Sequence, residues 1–425
     1  MAGCPHLSSG QIFTFPSPDN LTGNFFGSAV AIDGDWAVVG SSGFNSCGTN
    51  SGAAFVYQRA ANSTWKLSSV LQPADCQEEH FFGKTVAVDG NRILVASFRS
   101  SFNQRESNGV YVFERDEQAN EDVSEGSQAD PIDRRPSVSD SISAVPAPAQ
   151  ATLTNISNLI GRGWLQKTRI SDPDRGEFGT FATAISLDND RILVTAAGNP
   201  EGSQTRGAGY VFERQENGNW TLSARLTAES LRFNGVFGVS CDLDGDRLAI
   251  SSSSYSLGKP GRIAIYDLDS VSNKWRVSDT IDNVLSFFMP LSLSGDQLLV
   301  GESKAGRNQA GRARLFELEN DEWKLTSTFS PSLPYDFGAF GTLVSISGDF
   351  ALVVGFDEQL ELSINVDRVV YVFHKVRGEW RQRNILDVGN PFFGSALSFS
   401  DRTAIIGQSS ESTPGQVYTV EFNRP

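Results

Sequence analysis

The sequence predicts an all-β fold, a seven-bladed β-propeller of four-stranded antiparallel blades, and three observations carry that reading. A Phe-Gly pair, an alternating strand, a tight turn and a second apolar strand recur seven times in 425 residues. Six tryptophans each open a short run after the third strand of a unit. Glycine (40) and phenylalanine (29) are abundant, and short β-branched and aromatic runs bounded by glycine suit strands.

The copies start at Phe26-Gly27, Phe82-Gly83, Phe178-Gly179, Phe237-Gly238, Phe288-Met289, Phe340-Gly341 and Phe393-Gly394. They fall 51 to 59 residues apart, except for one interval of 96. A period in the fifties matches one four-stranded blade. In the first copy, strand A covers 28–32, strand B 36–39 and strand C 54–57, and strand D opens on Trp65. Asp33-Gly34-Asp35 and its counterparts supply the positive-φ positions that a tight A–B hairpin needs. The Asp242–Asp246 string lies in that hairpin register and reads as a turn. The Phe-Gly glycine allows close strand approach, and its phenylalanine fills the wedge between blades. Trp65, Trp164, Trp220, Trp275, Trp323 and Trp380 are regularly placed, which fits packing between blades better than a sugar-stacking platform.

Six tryptophans serve seven units because the last unit ends after its third strand, 416–422. Residues 11–15 form a spare strand before the first Phe-Gly pair, and pairing it into the last blade closes the ring and removes an exposed edge. The whole chain, 1–425, is then one domain. The long interval holds an insertion at 116–160 in blade 2, rich in Asp, Glu, Ser, Pro and Ala, which composition predicts to be disordered.

The Phe-Gly pairs, the Gly-Asp-x-x-x-Val-Gly runs and Gly-x-Val-Tyr-Val-Phe segments resemble FG-GAP repeats, the family that includes the integrin alpha-subunit propeller. The resemblance covers nearly all of the chain outside the insertion. It implies a binding face formed by the B–C loops and the D–A connections. Loop residues there of the types enriched at binding hot spots are Phe44, Phe98, Arg99, Phe102, Arg105, Arg206, Tyr255, Arg307 and Tyr335. Many repeats of the family carry a calcium loop between strands B and C. None of these loops has that carboxylate spacing with its turn glycine. The nearest, around Asp357 and Glu361, lacks a central glycine and reads as an acidic loop, so neither a metal nor any other cofactor is expected.

A formal charge of −15 without a dense Lys/Arg cluster argues against nucleic acid as a partner. No run reaches the roughly 18 apolar residues of a membrane span, and the first residues lack the charged and apolar regions of a signal peptide. Only His6, His80 and His374 are present, without a nucleophile elbow or zinc motif, which argues for a non-catalytic role. Cys47 and Cys76 fall on the same face, and a disulfide between them would place the protein in an oxidising, extracellular or cell-surface setting. Cys4 lies in the N-terminal tail, and Cys241 reads as a buried thiol. Glycosylation triplets start at Asn20, Asn62, Asn155 and Asn219. The expected function is protein binding or adhesion, by a monomeric propeller or a subunit of a larger assembly. The alternative is a carbohydrate-binding propeller, but the seven loops differ in length and chemistry and do not form repeated equal pockets; a third reading, an enzyme acting on a polysaccharide or lipid, lacks a catalytic constellation.

Overall fold

The computed structural model describes residues 12–98, 108–116, 156–174, 180–198, 207–227, 235–254, 259–286, 288–331, 337–356 and 367–422. These form seven antiparallel sheets of four strands. Blade 1 runs from the inside out as strand A (Phe26–Asp33), B (Trp36–Ser41), C (Ala53–Arg59) and D (Trp65–Leu71). Blades 2 to 6 repeat that order over 85–171, 180–227, 235–284, 291–329 and 344–386. In blade 7, strands A to C are Phe393–Ser400, Thr403–Gln408 and Gln416–Glu421, and the fourth is Ile12–Pro16. That N-terminal strand pairs with strand C in unbroken register from Ile12 opposite Val420 to Pro16 opposite Gln416, which closes the ring as the sequence predicts. Its Phe15 stacks on Tyr57 of blade 1 at 4.5 Å, so the closing strand also ties blade 7 to blade 1.

Strand B is apolar and buried along its length because the adjoining blades cover both of its faces. Strand D faces solvent on one side, as the mixed pattern of Trp220–Thr227 shows. The tryptophans pack as expected. Trp164 meets Trp36 edge-on at 5.2 Å, while Arg191 and Arg247 lie over Trp275 and Trp323 of the next blade.

The blade junctions explain the Phe-Gly pairs. Phe26, Phe82, Phe237, Phe340 and Phe393 are fully buried in the wedges. Gly83 has φ +91°, and a Cβ on it would stand 2.3 Å from the Ala53 carbonyl oxygen of blade 1. From the other side, a Cβ on Gly40 would stand 2.1 Å from the Gly83 oxygen, and one on Gly52 2.0 Å from the Phe82 oxygen. The same arrangement recurs where Gly301 and Gly311 meet Gly341 and Phe340, and where Gly407 and Gly415 meet Gly27 and Phe26 across the ring closure. Backbone therefore rests directly on backbone, a contact only glycine permits.

Two copies of the motif differ from the sequence expectation. In blade 3 the wedge is filled by Phe181, seven residues before Asp188 just as Phe26 is seven before Asp33, and Ala182 takes the left-handed conformation (φ +64°). Phe178-Gly179 lies outside the described residues. In blade 5 Phe288 is 75% exposed, and the buried side chain is Met289. The last residues of the insertion, 156–160, have a defined place. Val70 donates its N–H to the Leu159 oxygen and accepts from Gly161 N–H, both at 2.9 Å, so this segment covers the outer edge of blade 1. Residues 117–155 lie outside the described part of the chain.

The innermost strands surround an axial channel of about 400 Å3. Their inward N–H groups have no fifth strand to pair with, and small polar side chains of the neighbouring blade serve several of them. Ser398, Ser186, Asp242 and Ser292 accept from the N–H groups of Ile32, Leu243, Leu293 and Ile346. The hairpin aspartates also bridge blades, since Asp33 accepts from Gly90 N–H at 2.8 Å and Asp188 from Gly245 N–H at 2.6 Å. Asp242 is thus more than a turn residue. It also accepts from the Ser186 hydroxyl at 2.8 Å, and burial pushes its carboxyl up to about 6 despite these bonds. Cys241 beside it is a buried free thiol, raised by burial.

Three outcomes are expected. Removal of residues 1–16 strips blade 7 of its fourth strand and should lower the melting temperature in one cooperative transition, and an unchanged melt would contradict closure by this strand. Gly83→Ala, with its backbone clash, should cost at least about 2 kcal/mol. Gly34→Ala, whose added Cβ meets nothing within 4 Å, should cost only about 1 kcal/mol for its positive φ; denaturant titration compares the two. Asp242 is raised in the folded state, so its stabilising contribution is full below its ordinary value of 3.8 and is lost as pH rises through about 6. Asp242→Asn should flatten this part of the stability profile in melts between pH 4 and 7.

Candidate binding face

The B–C loops and the D–A connections share one face, opposite the A–B and C–D hairpins. The connections are held by polar clamps from the blade they enter. Between blades 1 and 2, Tyr111 donates to Asp75 at 3.0 Å and lies 3.1 Å from His80 Nε2, while Arg169 approaches Asp75 at 3.7 Å. Between blades 2 and 3, Tyr210 donates to Asp174 at 2.8 Å and Arg225 grips the same carboxylate through two nitrogens. Burial raises both phenols, so they stay protonated donors. Entering blade 1, buried Asp19 accepts from the Ser17 hydroxyl, the Leu21 N–H and the Asn24 amide. In blade 5, fully buried Glu302 is held by Arg312, by Arg314 at 2.8 Å and by the Leu285 N–H at 3.1 Å. The expected disulfide is present, joining Cys47 of the first B–C loop to Cys76 of the following connection.

On this braced frame the candidate residues separate. Phe44 is only 5% exposed and meets Phe55 edge-on at 5.4 Å, so it is a core residue and not a contact. Its loop turns inward because Gly52 N–H bonds the Phe44 oxygen. Phe98 is half-buried, and its N–H reaches the His80 oxygen. Arg307 is exposed at the start of the short turn Arg307–Gln309. Arg99, Phe102, Arg105, Arg206, Tyr255 and Tyr335 lie outside the described residues, as do Asp357 and Glu361. No group of three or more His, Cys, Asp or Glu among the described residues could hold a metal.

Sequence reasoning missed the exposed apolar set on the connections. Phe288 (75% exposed), Phe337 (64%) and Phe392 (40%), with Val388 and Leu21, stand on the connections entering blades 5, 6, 7 and 1. They span adjacent blades on one side of the ring. A signal for them was present in the phenylalanine doublets Phe25-Phe26, Phe81-Phe82, Phe287-Phe288 and Phe392-Phe393. In blades 1, 2 and 7 the wedge takes the second phenylalanine of the doublet and leaves the first over, whereas in blade 5 Met289 fills the wedge and Phe288 is left exposed. Phe25 and Phe81 are half-buried and have left-handed backbones, φ +53° and +47°, which turn them out of the strand path.

An FG-GAP repeat family model matches residues 14–57, most of the closing strand with strands A to C of blade 1, and residues 65–113, strand D of blade 1 with strands A to C of blade 2. No curated protein sequence matches the chain. Among solved structures, a protein of Bacteroides uniformis provisionally named 6-phosphogluconolactonase is similar at 13% identity and TM-score 0.48, with 85% of each chain covered. A second of that name, from Bacteroides fragilis, is similar at 12% identity and TM-score 0.47, covering 88% of this chain and 87% of that one. The repeat match falls on the first two blades, and the seven four-stranded sheets form a closed β-propeller.

Proposed function

We propose that this propeller is a non-catalytic binding module that captures a protein partner on the face of the B–C loops and D–A connections. The observation that carries the proposal is the exposure of Phe288, Phe337 and Phe392 on neighbouring connections of that face. Exposed aromatic side chains on a rigid frame lose little entropy on binding and supply the buried anchors of protein interfaces. Arg307 adds a cation beside them. The partner surface is accordingly apolar at its centre with an acidic or neutral rim.

His80 is fully buried against Tyr111, which supports a packing role for it. The Cys47–Cys76 disulfide and the FG-GAP repeats support an extracellular or cell-surface setting. No helix among the described residues is long and apolar enough to cross a membrane.

The test is capture of partners from the native source by the immobilised full chain and by Phe288→Ser, Phe337→Ser and Phe392→Ser variants. Val271→Ser is the control, because Val271 is 96% exposed in a C–D hairpin on the opposite face. Each phenylalanine variant should weaken capture about tenfold or more, a hot-spot loss, with an unchanged melting temperature. Equal retention by all four variants would place the partner elsewhere.

A further inference from the structure

The ring is closed by a strand from the far end of the chain, and a cleft lies beside this closure. In blades 1 to 6 the tryptophan that opens strand D stands opposite a fixed strand C position: Arg59, Arg115, Arg214, Leu268, Leu318 or Lys375. In blade 7 that position is Phe422, the pairing of strand D with strand C is described only as far as Ile12 opposite Val420, and no described residue pairs with Phe422. Phe422 turns onto Phe350 of blade 6 (5.4 Å) and Phe399 (5.7 Å) and takes over part of the stacking that a seventh tryptophan would provide. The cleft has a volume of about 900 Å3 and lies between blades 6, 7 and 1, on the hairpin face, opposite the proposed partner surface.

The charge in this cleft is unlike that of the chain as a whole. Arg59 is neutralised by Asp35 and Glu421, and Lys375 by Glu317. Arg377 and Arg402 also line the cleft, and neither has an ion pair or a side-chain hydrogen bond among the described residues. His374 at the floor registers this field: burial first, then Arg383 and Arg402, hold it below the ordinary histidine range against the pull of Asp349. Two guanidiniums without a protein partner among the described residues therefore stand in one cleft of a chain whose net charge is −15.

We infer that the cleft binds a saccharide-sized ligand bearing an oxyanion, with Arg377 and Arg402 gripping the anion. The planar guanidinium fork matches sulfate or carboxylate oxygens in pairs. The remaining lining favours a sugar over an acidic peptide. Asp349, Asp401 and Glu421 repel a second carboxylate chain but accept hydrogen bonds from hydroxyl groups. This site shares no residue with the aromatic set proposed for protein binding, so either can fail alone.

Titration calorimetry of the full chain at low ionic strength tests it, with a sulfated heparin-derived disaccharide, digalacturonate and neutral cellobiose as probes. At least one charged disaccharide should bind, with cellobiose at least about tenfold weaker. The stronger charged probe identifies the oxyanion. Arg377→Ala and Arg402→Gln should each weaken binding about tenfold or more, while Arg276→Ala, an exposed arginine of blade 4, should leave it unchanged. Because Arg377 lies exposed in a hairpin, its variant is expected to melt like the parent. No binding of either charged probe, or equal binding by the arginine variants, would overturn the inference.

Discussion

Where Gly40 and Gly52 of blade 1 meet Phe82 and Gly83 of blade 2, carbonyl oxygens occupy the places that Cβ atoms would take. This backbone-on-backbone contact sets how near one blade can come to the next. The phenylalanine beside it then fills the wedge that widens outward. The same set of contacts at the junction of blades 7 and 1 makes the ring circular, since the closing junction is built like an internal one. Side-chain packing, the channel and the positions of the loops all follow from that spacing.

A ring held this way has inner strands whose polar edges face an axial channel. Serines, and at one place Asp242, reach across to the neighbouring blade and satisfy them. The hairpin aspartates continue this pattern at the rim, where each carboxylate accepts from the turn of the next blade. Arginines add a second belt farther out, with Arg92 on Asp190, Arg191 on Asp246 and Arg247 on Asp296. Individually such part-exposed pairs contribute little. As a repeated set they link each of these blades to the next on the hairpin face.

The two faces differ in chemistry. On the loop face, buried tyrosines and carboxylates brace the D–A connections from within, which allows phenylalanines to stand out in solvent without collapsing onto the core. On the hairpin face, Arg92, Arg191 and Arg247 pair with turn aspartates of the next blade. At the closure, Arg377 and Arg402 remain beside open space.

The sequence by itself determined the blade count, the strand order, the closing strand and the packing role of the tryptophans. The blade features rest on a local signal repeated in phase, whereas the Cys47–Cys76 link is an expectation from the shared face that the structure decided. The sequence misplaced the third Phe-Gly copy because Phe178-Gly179 matches the motif better than Phe181-Ala182, although only the latter keeps the seven-residue distance to the turn. It also could not give the direction of loop side chains. Phe44 and Phe288 are both loop phenylalanines in one dimension, and only the curl of the first B–C loop buries one while the other stays exposed. The partner of each hairpin aspartate lies roughly 50 to 100 positions away along the chain, so its inter-blade role exists only once the ring has closed. The arginine cleft is the plainest case, because its lining comes from blades 6, 7 and 1 and is brought together only in the assembled ring.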